Sequence, residues 1–207
     1  MPTPWLKSIK EGKKLAVFNS ASSWAVPIKA AVNTFNGLKF GVTLALVDDE
    51  KKANIVLRVA TGPDTYDWPG NSAYEGTTVK TRTDFTPSRL HGQTTTIKDP
   101  SINEIMFAVT FLPGNIVNAT DRQKEVVVVH EFIHACGLDG GRGAGKQDPG
   151  QDHDIVGIMV AQMTQDGTGL IEILPDKGAK PMTPIRVGGQ TLCLMQMLWA
   201  GGKECKK

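Results

Sequence analysis

His130-Glu131-Phe132-Ile133-His134 sets two imidazoles four residues apart, with a carboxylate directly after the first. On a helix this spacing places His130 and His134 one above the other, so both rings can aim a nitrogen at a single ion. Glu131 falls about 100° round the same turn, beside the ion rather than among its ligands, where a carboxylate can take a proton from a water held there. Two nitrogen donors and an adjacent base are part of what zinc-assisted hydrolysis requires. With 4 His among 207 residues, the string is expected by chance roughly 0.003 times in such a chain, so composition does not explain it. A structural helix with two surface histidines is the plain alternative; it leaves unexplained why the pattern lies on so apolar a helix.

That helix has readable ends. Thr120-Asp121-Arg122-Gln123 is a capping-box pattern, with Thr120 as cap and Gln123 reaching back, and Gly137 marks the stop. The run Val126-Val127-Val128-Val129 is a poor intrinsic helix former. Burial in a core must therefore stabilise it, which suits a site needing rigid ligands.

The rest of the chain reads as an α/β plan. Lys14 to Phe18 is a short strand, and Trp24 to Phe35 a helix with apolar Trp24, Ile28, Ala31, Val32 and Phe35. Val42 to Val47 and Ile55 to Ala60 are strands separated by a charged turn at Asp48 to Lys52. Thr61 to Pro100 shifts to Gly, Thr, Pro, Asp and Ser, a long loop region with one short strand near Thr77 to Thr81. Ile105 to Leu112 is a strand closed by Pro113-Gly114, and Gln190 to Ala200 is a final helix with Leu192, Met195, Leu198 and Trp199 on its apolar face.

Two histidines leave a zinc ion short of ligands. A glutamate from a later helix is one solution, but Glu172 lies in the strand-like Ile171-Glu172-Ile173 and only Glu204 follows it. The chain instead shows Gly137-Leu138-Asp139 after the motif, then Asp152-His153 and Gly157-Ile158-Met159-Val160. In this it resembles the metzincin metallopeptidases, the matrixin-like branch in particular, whose signature is HExxHxxGxxH followed by a methionine turn. The match is full through Gly137 and then breaks, because Gly140 stands where the third His belongs. If Gly140 to Asp152 is an insertion, polar and glycine-rich as an exposed excursion should be, His153 and then Met159 restore the matrixin-like order. His153 is then the third ligand, with Asp139 or Asp152 as rivals. Met159 is the Met-turn residue or a plain core methionine. Asp152 and Asp154 either orient His153 or are solvated loop charges.

The resemblance implies a metzincin-like zincin fold of the α/β (α+β) class: a twisted mixed sheet with two helices, the active-site helix, a Met-turn and a C-terminal helix. Residues 1–207 would form one catalytic domain, with an N-terminal part of about 1–137 and a C-terminal part of about 138–207. It also implies a zinc-dependent endopeptidase with one catalytic Zn2+ held by His130, His134 and His153, and with Glu131 as general base toward a peptide or protein substrate. The strand before the motif helix, Ile105 to Leu112, would be the sheet edge that pairs with extended substrate. A zinc-stabilised binding or structural protein without hydrolysis is the alternative, although a closed structural site has no use for Glu131.

Composition narrows the remaining classes. A formal charge of +2 from 23 basic and 21 acidic residues, mixed along the chain, argues against a nucleic-acid partner. Lys7, Lys10, Lys13 and Lys14 read as a solvated surface. No segment has the roughly 18 continuous apolar residues of a membrane span. Met1-Pro2-Thr3-Pro4-Trp5 lacks the apolar core of a signal peptide, so cytoplasmic synthesis with non-classical release is the expectation. Cys136, Cys193 and Cys205 form no disulfide framework by count or spacing, though Cys193 could bridge Cys205; Cys136 is expected to be a buried thiol. His91 reads as a surface residue, or as part of a structural Ca2+-type ion site with Asp64 or Asp67.

Overall fold

A computed structural model describes residues 2–69, 76–117, 119–138, 185, 187 and 189–202. In chain order its elements are α1 (Lys7–Gly12), β1 (Lys14–Asn19), α2 (Ala25–Gly37), β2 (Thr43–Val47), β3 (Ile55–Ala60), β4 (Thr65–Asp67), β5 (Thr78–Lys80), β6 (Gln93–Lys98), β7 (Ile105–Pro113), α3 (Asp121–Ala135) and α4 (Gly189–Ala200). Five strands form one mostly parallel sheet in the order β2-β1-β3-β7-β6, and only β6 runs antiparallel to its neighbour. The architecture is mixed α/β. Among the described residues no helix is long and apolar enough to cross a membrane.

The sheet is covered on both faces, and β7 shows why. Ala108 and Leu112 belong to the core beneath α2 and α3, whereas Phe107, Val109 and Phe111 belong to a second core on the opposite face. The antiparallel β4–β5 pair caps that second core with Tyr66, Trp68 and Val79, and Trp68 packs against Phe107 with ring centroids 4.0 Å apart. A strand buried on both faces reads as a near-continuous apolar run. The expectation that Ile105 to Leu112 is the sheet edge is therefore wrong: β7 lies between β3 and β6, and the edge strands of the described sheet are β2 and β6. The long loop expected from Thr61 to Pro100 likewise contains three strands, β4, β5 and β6, of which only β5 was anticipated.

On the other face α2 and α3 pack together. Val126, Val127, Val128 and Val129 are all buried, as their poor helix propensity requires, and Phe132 meets Phe35 edge-on with centroids 5.9 Å apart. Buried Glu125 ties the pair laterally: it accepts a 2.6 Å hydrogen bond from the Thr34 hydroxyl and lies 2.6 Å from Arg122 Nη1. Thr120 caps α3 through Gln123 N at 3.2 Å, and the Gln123 side chain accepts from Thr120 N, completing the expected box. The lysine-rich start folds as α1, which has no buried residue. Among the described residues three α-helices, α1, α2 and α3, precede Gly137.

The carboxyl end of α3 is closed by both ends of the chain. Trp5, fully buried, donates its indole N–H to Ala135 O at 3.0 Å, and Trp199 donates to Cys136 O at 3.0 Å. Thr3 N donates to Gly137 O at 2.8 Å. These bonds satisfy carbonyls that a helix terminus leaves without intrahelical partners. Trp5→Phe retains most of the ring but removes one donor from a buried carbonyl, and about 1–3 kcal/mol of stability should go with it. A denaturant titration at unchanged m-value measures the loss; an unmoved midpoint would show that the indole bond carries nothing.

Candidate metal and catalytic site

The motif lies in the last two turns of α3. His130 and His134 face the same way, with Nε2 atoms 3.2 Å apart and rings inclined at 71°. Two nitrogens bound tetrahedrally to one zinc at 2.0–2.1 Å would be about 3.3 Å apart, so the observed separation fits a shared ion. His134 Nδ1 lies 2.7 Å from Leu138 O. A carbonyl cannot donate, so Nδ1 carries the proton, and in the neutral ring Nε2 presents its lone pair outward. His134 is thereby set in the tautomer a metal needs.

The helix stop and this orientation are one device. Gly137 has φ +106°, a left-handed conformation that side-chain-bearing residues rarely adopt. Its N–H bonds His134 O at 2.9 Å, and Leu138 N bonds Ile133 O at 3.3 Å. This is the paired pattern of a glycine-terminated helix, with buried Ile133 and Leu138 supplying its apolar contact. The turn that ends α3 also brings Leu138 O back to His134.

Glu131 is 3% exposed. Thr94 of β6 donates to Glu131 Oε2 at 2.7 Å, and Thr94 Oγ1 is 2.8 Å from Oγ1 of its cross-strand partner Thr110 on β7. Gly92, just before β6, approaches from the same side: a Cβ there would fall 2.5 Å from Glu131 Cγ and 2.8 Å from Oε1. Burial pushes the carboxyl above the ordinary carboxylate range, while His134, the Thr94 hydroxyl and Arg82 pull the other way. Burial thus makes the ionised form of this carboxyl costlier than that of an exposed glutamate.

Among the described residues no third His, Cys, Asp or Glu joins the two histidines. His153, Met159, Asp139, Asp152 and Asp154 lie outside the described residues. His91 is not the plain surface residue expected: it is half-buried against Phe85, with ring centroids 5.6 Å apart, and burial holds its imidazole below the ordinary value. Among the described residues no group of three His, Cys, Asp or Glu side chains includes it. Asp64 instead pairs with Arg58 at 3.5 Å, and Asp67 accepts from the Thr78 hydroxyl at 2.7 Å. Cys136 is a free, fully buried thiol pushed upward in pKa by burial, and Cys193 is disulfide-bonded.

Thr94, Thr110, Gly92 and the Leu138 carbonyl were not anticipated from the sequence. The carbonyl leaves no residue-type signal at all. The threonines stand in polar or apolar runs that only strand pairing brings together. No protein-family model and no curated protein matches this chain.

Proposed function

We propose that this protein is a zinc-dependent endopeptidase of metzincin-like, matrixin-related type, with His130, His134 and His153 as ligands, Glu131 as general base and Met159 in the Met-turn. The observation that carries this reading is the convergence of two Nε2 atoms to 3.2 Å beside a buried carboxylate. The fixed tautomer of His134 adds to it, since a structural helix with two stray histidines has no need of one.

Zinc held by these nitrogens supplies a Lewis acid that acidifies a water and polarises a carbonyl. The chain's own part is positional and proton-bearing. His134 is held by Leu138 O, and Glu131 is held by Thr94 Oγ1. Glu131 takes the proton of the attacking water and returns it to the leaving amine. Among the described residues no strand pairs with the outer side of edge strand β6, where an extended peptide would join the sheet. This role passes to β6 from the strand first expected to fill it.

Cleavage profiling of a complex peptide library by mass spectrometry tests the reading, with zinc-loaded protein against a chelated sample. Cuts confined to the zinc-loaded sample are expected. Bound zinc without cuts would favour a zinc-stabilised binding protein, and failure to bind zinc would overturn both.

A further inference from the structure

We propose that Thr94 is a positioning residue for Glu131, itself oriented by Thr110; this deepens the peptidase reading and rests on it. A threonine hydroxyl has one proton to give. When Glu131 is ionised it can only accept, so Thr94 Oγ1 gives its proton to the glutamate, 2.7 Å from Oε2 and 3.3 Å from the backbone O, and the 2.8 Å contact with Thr110 Oγ1 then runs from Thr110 to Thr94. The order Thr110 to Thr94 to Glu131 is that of the ionised carboxylate, the form that acts as a base. Thr110 is fully buried in interior strand β7, which gives the relay a rigid origin.

Gly92 completes the restraint. It lies two residues before Thr94, and residues so spaced share one face of an extended chain. With Oε2 tied to Thr94 and the Cγ–Oε1 side against the Gly92 backbone, the carboxylate has little room for another rotamer. A base held in one orientation pays no ordering cost at the moment of proton transfer. A cross-strand threonine pair can stabilise a sheet without any such task. This pair, however, has its outer hydroxyl on a buried carboxylate of the motif.

The test uses Thr94→Val, which removes the hydroxyl at nearly constant shape, and Thr94→Ser, which keeps it. With zinc-loaded protein and a fluorogenic peptide, Thr94→Val should lower kcat about 10- to 100-fold with KM within about twofold, and Thr94→Ser should restore most of kcat. Equal losses in both variants, or a change confined to KM, would overturn the proposal by assigning Thr94 to packing or to substrate binding.

A second arm needs no activity. In metal-free protein, Thr94→Val should reduce the folding equilibrium constant about 10-fold more in the wild-type background than in Glu131→Ala, because a hydrogen bond to a buried carboxylate is lost only in the former. Coupling below about twofold would overturn the positioning contact even if the wild type cleaves peptides. Coupling without wild-type cleavage would instead sink the peptidase reading, and the catalytic part of this proposal with it.

Discussion

Glu131→Gln is expected to lower turnover about 10²- to 10⁴-fold while leaving zinc content unchanged. Glutamine is nearly the same shape, and its amide oxygen can still accept the Thr94 hydroxyl that now meets Oε2. It cannot accept a proton. The same change should raise stability at neutral pH in the metal-free protein, because burial disfavours the ionised carboxyl and lifts its pKa. The sign follows from the direction of that shift: below the ordinary carboxylate pKa the glutamate is neutral in folded and unfolded chains alike, and no penalty exists. As pH rises through the raised folded value, the unfolded state releases its proton first and the native state loses ground. Thermal unfolding at pH 7 and near pH 4, beside peptide turnover, should show an inactive variant whose stability advantage shrinks on acidification. Wild-type turnover in the glutamine variant would remove Glu131 as base.

Gly137→Ala should be the most damaging single methyl in the described structure. Alanine would be held at φ +106°, and its Cβ would lie 2.1 Å from Thr3 O and 3.0 Å from Leu198 Cδ2. The strained backbone costs about 1–3 kcal/mol and the overpacking a similar amount. A combined loss of about 3–5 kcal/mol corresponds to a fall in melting temperature of about 10 °C for a chain of this size. Relief of the clash must move Thr3 away from Gly137 or unwind the helix stop, and the second route carries Leu138 O away from His134. Zinc affinity should therefore fall as well, by about 10- to 100-fold, as when a ligand loses its orienting partner. An unchanged melting temperature would show that the junction at Thr3 yields freely.

The parts of the structure legible in the sequence are those whose signals are local. The α3 cap, the Gly137 stop and the His-Glu-His face each depend on residues within one or two turns of one another. Strands β1, β2, β3 and β7 stood out because they bury β-branched and aliphatic side chains. Strand β6 did not, since Gln93-Thr94-Thr95-Thr96-Ile97-Lys98 is polar at nearly every position and lacks alternation. Its three threonines carried the β-preference of branched side chains, a cue outweighed by the surrounding glycines, prolines and aspartates. The run Met106-Phe107-Ala108-Val109-Thr110-Phe111-Leu112 held the opposite lesson. Apolar residues without alternation mark burial on both faces, and so a central strand. The Thr94–Glu131 contact joins residues 37 apart and depends on β6 pairing with β7 in one register. No local pattern announces it.

The indoles that close α3 also set an order of events during synthesis. Trp5 is made 130 residues before the carbonyl it serves, whereas Trp199 follows its own acceptor by 63. A nascent chain that has just delivered the His-Glu-His helix can recruit the first tryptophan but must wait for the second. Contacts of such separation form late, after the entropy of closing long segments has been met. The histidine-bearing helix therefore reaches its finished terminus only once the segment around Trp199, 63 residues beyond the carbonyl it closes, is available to fold.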